Sequence, residues 1–154
     1  MHKNVRAMYG ERDNFMVESA AFVLDSFALL TYLQDEPAAS RIEKLLEGAG
    51  KEKCRLLLSI ISLGEILYIT ERRGGLVKAQ DALALIQQLP IEILAADEQT
   101  VLAAAHIKAN HPLSYADSFV VAIGIQENAT VITADPEFHA VEEIVRVEWL
   151  QAPG

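Results

Sequence analysis

With 154 residues, of which 51% are hydrophobic and 23% charged, the chain has material for one domain with a packed core and is too apolar to be disordered. Its net charge of −9 is unlike a general nucleic-acid binder, which holds phosphates through a basic excess, unless carboxylates are gathered around cations that invert the local field. A single cysteine, Cys54, excludes an internal disulfide framework and a multi-cysteine zinc site, and no apolar stretch reaches the roughly 20 residues of a membrane-spanning helix.

Residues 1–18 are polar and aperiodic, and are read as an extension outside the fold. Their basic residues have no apolar run behind them, so no secretory signal is expected and the reading is of a cytoplasmic protein. The run AAFVL, residues 20–24, predicts a buried strand, and Ser26 to Leu33 a short helix broken near Pro37. Ala38, Ile42, Leu45 and Leu46 share one helix face that ends at Gly48 or Gly50. A second strand is expected over LLLSII, residues 56–61, with Ser62 capping a helix to Arg73 and Gly74–Gly75 ending it. Leu76, Ala79, Leu83 and Ile86 repeat at helical spacing up to Pro90.

Ile91–Leu94 is a third strand, and Asp97 opens a helix to about Ala109. After the loop His111–Pro112–Leu113, Ser114 begins a helix that is almost wholly apolar from Phe119 to Ile125. ATVIT, residues 129–133, is a strand ending at Asp135–Pro136, and a helical turn and a strand over Ile144–Val147 finish the domain at about residue 150. Strands alternating with helices predict an α/β fold, a parallel sheet of about five strands with helices on both faces. Lys51–Lys53–Arg55 and Arg72–Arg73 are read first as solvated surface, with basic patches as the alternative.

In such sheets the functional crevice lies beyond the carboxyl ends of the strands. Asp25 follows the first strand and Asp135 follows VIT, so both should reach the same sheet edge. Each also suits a helix N-cap or turn. Glu65 sits in ISLGEILYI among apolar neighbours, where a glutamate needs water, a partner or a metal. Asp117 completes a capping-box spacing with Ser114 and precedes the apolar helix. If the four meet, they can all stay ionised only around a cation, and an all-oxygen donor set suits Mg²⁺ or Mn²⁺. That points to hydrolysis of a phosphodiester by water.

VLDSFALLTYL, SLGEILY and LSYADSFVVAIGIQENATVITADPEF together resemble the PIN-domain pattern, and the last stretch is similar to VapC-type toxins. The resemblance runs over about residues 20–148 and implies a PIN-like three-layer sandwich over residues 19–150. It implies that Asp25, Glu65, Asp117 and Asp135 are the metal-binding and catalytic acids, with Ser26 and Thr133 secondary. Gly64 stands where the family often has Asn before the second acid, a position that is not a usual ligand. The family implies a Mg²⁺- or Mn²⁺-dependent endoribonuclease, a homodimer, an RNA substrate and a cognate antitoxin that reaches into the acidic groove. Two other readings stay open: an aspartate-based phosphatase using Asp25, and a non-enzymatic RNA- or partner-binding module of the same shape.

Overall fold

The computed structural model describes residues 20–151. The extension expected over residues 1–18 lies outside them. Five strands, β1 (Ala20–Leu24), β2 (Cys54–Ser59), β3 (Glu92–Leu94), β4 (Thr130–Thr133) and β5 (Val147–Trp149), form one parallel sheet in the order β3-β2-β1-β4-β5. Six α-helices connect them: α1 (Ser26–Leu33), α2 (Ala39–Gly50), α3 (Ile60–Gly74), α4 (Leu76–Gln88), α5 (Glu98–Asn110) and α6 (Tyr115–Gln126). A 3₁₀ helix, Pro136–Val141, links β4 to β5. This is the α/β architecture expected, with a layer on each side of the sheet.

Strand alternation divides the core. Val23, Leu57 and Val131 point to one face, where α5, α6 and the buried Phe138 and Val141 cover them. Leu24, Leu56, Leu58 and Ile132 point to the other, against α1, α2, α3 and Ile86 of α4. Because both faces are buried, the central residues of β1, β2 and β4 are apolar on consecutive positions, which is why they read as continuous runs. α6 lies so close to β4 and to the turn before β5 that a Cβ on Gly124 would stand 2.7 Å from Val145 Cγ2 and 3.3 Å from Val131 Cγ2, so only glycine fits there unshifted.

Two boundaries differ from the sequence reading. The second strand starts at Cys54 and stops at Ser59, and Ser59 rather than Ser62 caps α3, its Oγ accepting from Ile61 N at 3.1 Å. Ser62 is buried in the first turn, so the apolar Ile60 and Ile61 belong to the helix. The last strand is Val147–Trp149, not Ile144–Val147. Ile144 and Val145 return their N–H groups to Val141 O in a turn, and Val145 is apolar because it fills the core from that turn.

The sheet order reverses between β1 and β4: β1 leads outward to β2 and β3, and the chain then crosses back to β4 and β5. The carboxyl ends of β1 and β4 therefore flank the crevice of the fold.

Leu57 is fully buried at the centre of the sheet, whereas Leu102 on α5 is 63% exposed. Leu57→Ala is expected to lower unfolding stability by about 2–5 kcal/mol in urea titrations. Leu102→Ala is expected to stay within about 0.5 kcal/mol of the parent.

Candidate metal centre

Asp25 is the first residue past β1, and its N–H donates to Ile132 O of β4 at 3.3 Å, which fixes it at the reversal point. It caps α1: Oδ1 accepts from Ala28 N at 2.7 Å. Its other oxygen, Oδ2, accepts from the Thr133 hydroxyl at the end of β4. Thr133 is fully buried, and its Oγ1 also accepts from Asp135 N at 2.9 Å. One threonine thus joins the first acid to the last.

Asp135 caps the 3₁₀ helix, with Oδ1 accepting from Glu137 N at 2.9 Å. Asp117 sits in the first turn of α6 and is buried, as its place before an all-apolar helix implied. Ser114 caps that helix, its Oγ accepting from Asp117 N at 3.1 Å. Glu65 lies on α3, half-buried, and its Oε1 accepts from the Ser26 hydroxyl. Ser26 is itself buried beside Asp25. The two readings weighed for Asp25 and Asp135, helix cap and member of an acidic centre, describe one arrangement: the cap holds the side chain at the crevice.

The charges of Asp135 and Glu65 act on both buried acids, Asp25 and Asp117. Burial lifts the Asp25 carboxyl to about 6 against the opposing pull of Thr133 and the Ala28 N–H, and the charges of Asp135 and Glu65 raise it further. Burial likewise lifts Asp117 to about 7, opposed by Ser114 and reinforced by the charges of Asp25, Asp135 and Glu65. The charged groups acting on both are other carboxylates. Carboxylates from four segments distant in sequence thereby come near enough to act on the two buried acids through their charge.

Glu137 was not singled out in the sequence, yet its carboxylate lies beside two of these acids. One oxygen from each of Asp117, Asp135 and Glu137 lies within 4.8 Å of the others. The signal available was an acid two residues after Asp135, which by itself looks like an ordinary helix-start residue.

The basic clusters do not serve this centre. Arg55 is at the opposite end of its strand and pairs with Glu92 at 2.9 Å and Glu127 at 3.5 Å, and Lys51 pairs with Glu47 at 3.0 Å. Arg72 lies over the Tyr68 ring. Burial pushes the Cys54 thiol up, away from a reactive thiolate.

The donor set is all oxygen, crowded and without a cationic side chain among the groups that shift it, which fits a hard divalent cation. Without such an ion, protonated Asp25 and Asp117 are favoured by folding. Both folded values lie above the ordinary 3.8, so the folded chain binds more protons than the unfolded one between that value and about 7. Stability of the metal-free chain should therefore fall as pH rises through this window. In EDTA the melting temperature is expected to drop between about pH 4 and pH 8, and Asp117→Asn should flatten the drop. Mg²⁺ should raise the melting temperature at about pH 8 and much less at about pH 5. A pH profile unchanged by Asp117→Asn and by Mg²⁺ would contradict this description of the centre.

Comparison with known proteins places the chain. A search of curated proteins gave no match. Among solved structures, a chain of VapBC2 from Rickettsia felis, crystallised bound to a DNA fragment from its promoter, superposes with a TM-score of 0.69 at 17% identity, covering 85% of this chain and 99% of that one. A chain of VapBC-1 from nontypeable Haemophilus influenzae gives 0.64 at 20%, covering 84% and 98%. Mycobacterium tuberculosis VapC20, described as a sarcin–ricin loop cleaving toxin, gives 0.63 at 18%, covering 78% and 94%. At these identities the likeness speaks for the fold. The family model of the PIN domain matches residues 22–144, a span that includes Asp25, Glu65, Asp117 and Asp135, and the chain belongs to the PIN-domain family.

Proposed function

We propose that this chain is a Mg²⁺- or Mn²⁺-dependent endoribonuclease, and that it is the toxin of a type II toxin–antitoxin pair. The observation that carries the reading is the gathering of Asp25, Glu65, Asp117 and Asp135 about the reversal point of the sheet, with Asp25 and Asp117 both buried and both raised by the charges of Asp135 and Glu65. Asp25, Glu65, Asp117 and Asp135 would hold the ion, which when bound supplies charge neutralisation and Lewis-acid polarisation to a phosphodiester and its attacking water.

The chain's own groups do the positioning. Thr133 and the Ala28 N–H hold both oxygens of Asp25, Ser26 holds Glu65, and Ser114 sets the first turn that carries Asp117. Rotamers fixed in this way keep the acids at the crevice before any substrate arrives, so little reorganisation is left for the reaction. Asp135 is more exposed than Asp25, which leaves it the more open of the two to an approaching RNA phosphate.

The VapBC structures support an antitoxin as partner; that it reaches into the acidic crevice, and that a second copy of the chain completes a homodimer, are parts of the same proposal. VapC20 supports RNA as the substrate class. A cytoplasmic location is part of the same proposal. Among the described residues no helix is long and apolar enough to cross a membrane.

Asp117→Asn should lower Mg²⁺-dependent cleavage of RNA by at least about a hundredfold, the scale of losing several kcal/mol of charge stabilisation. Its circular-dichroism spectrum should stay native. Unchanged cleavage in that variant would refute the assigned site, and cleavage by the parent that persists undiminished in EDTA would refute the metal dependence.

A further inference from the structure

Trp149, the only tryptophan of the chain, closes β5. It is the register partner of Thr133 at the end of β4, and Leu150 N donates to Thr133 O at 2.8 Å. Register partners on paired strands lie about 4.8 Å apart, with their side chains on one face of the sheet. The indole therefore stands beside the threonine that joins Asp25 to Asp135. Trp149 is half-buried and packs against the core on the α5–α6 face. His139 of the 3₁₀ helix lies on it, with ring centroids 4.2 Å apart and planes 27° from parallel.

The imidazole is held still from several sides. Phe138 and Val141, both fully buried, pin the helix around it. Its Nδ1–H donates to Glu142 Oε1 at 2.6 Å, which fixes the rotation of the ring. Trp149 covers one face. The side chain nevertheless stays 64% exposed, so the face turned away from Trp149 is open to solvent. An aromatic face that is already ordered can take a ligand without losing further rotamer freedom. Carboxylates lie near it in the chain: Glu142 on the ring itself, and Glu137 and Asp135 at the start of the helix. They repel a phosphate, and the chain as a whole carries −9. The uncharged π-face of a nucleobase suits this surface, because stacking gives affinity without positive charge.

Resting on the ribonuclease reading, we propose that the open face of His139 stacks an unpaired nucleobase of the RNA strand whose phosphate lies at the acidic centre. The base forms a third layer on the Trp149–His139 pair. His139 is then a substrate-binding residue that holds the strand by a base close to the scissile phosphate, and takes no part in breaking the bond. A base inside a duplex has its faces covered by its neighbours, so this contact selects strands that are unpaired there.

The test is RNA binding to the full-length Asp117→Asn chain with Mg²⁺, in which the strand is not cut, followed through the emission of Trp149. A single-stranded oligoribonucleotide should change that emission, and should bind roughly tenfold more tightly than the same sequence in a duplex. Adding His139→Ala should weaken single-strand binding by roughly tenfold. The factor should be the same at low and high salt, because stacking releases no counterions. His139→Phe, which keeps a ring, should recover most of the loss. His106→Ala, which removes an exposed histidine on α5, should stay within about twofold. An abasic strand should bind the His139 chain about as weakly as the full strand binds His139→Ala, and should lose little more on that variant. His139→Ala binding as tightly as His139, or His139→Phe binding as weakly as His139→Ala, would overturn the stacking role and leave the acidic centre untouched. A loss that shrinks with added salt would overturn it in favour of a phosphate contact. Absence of RNA binding by every form, with no cleavage by the native chain, would overturn the ribonuclease reading and this inference together.

Discussion

Carboxylates crowded at the seam between β1 and β4 repel one another, and partial removal from water makes that repulsion harder to screen. The fold nevertheless assembles them, through four separate crossings of the chain to the same edge of the sheet. Asp25 and Asp117 answer the conflict in the metal-free chain by holding their protons to about 6 and about 7. A divalent cation held as proposed would answer it at higher pH by supplying the missing positive charge. The surrounding structure reads as a device for keeping the acids in place under either condition.

That device is made from ordinary local structure. Helix caps at Asp25, Ser114 and Asp135 satisfy backbone N–H groups while aiming side chains at one crevice. The Thr133 and Ser26 hydroxyls add cross-element links, from β4 to Asp25 and from α1 to Glu65 on α3. Behind these links lies a core buried on both sheet faces, with Leu24 and Ile132 directly beneath Asp25 and Thr133 in sequence. A bidentate surface ion pair serves elsewhere: Arg41 clamps Glu148 at 2.7 and 3.0 Å and ties α2 to the edge strand β5. The acidic rim is left without a cationic side chain of its own among the groups that perturb its buried members.

Much of this was legible in the sequence because burial on both faces leaves continuous apolar runs, and helices leave 3.6-residue repeats. AAFVL, SFALLTYL and the helix after Ser114 were read with nearly the observed bounds. The reading slipped where apolar residues serve two purposes. Ile60 and Ile61 continue the hydrophobic run of β2 but already belong to α3, and Ile144 and Val145 look like a strand while lying in a turn. Periodicity cannot separate these cases, because tertiary packing decides them. At the site, the four acids were proposed from their positions after strands and on apolar helices. Glu137 was missed because its neighbour Asp135 masked it and because its relation to Asp117 exists only in three dimensions. The hydroxyl links from Thr133 and Ser26 to particular acids are likewise products of the fold.

A crystal of the full chain grown with Mn²⁺, with anomalous diffraction measured at the manganese edge, tests the central claim most directly. The account predicts an anomalous peak in the crevice between β1 and β4, within coordination distance of carboxylate oxygens including those of Asp117. Diffraction of good quality at neutral pH with no peak there, or manganese bound only at a remote surface, would contradict it.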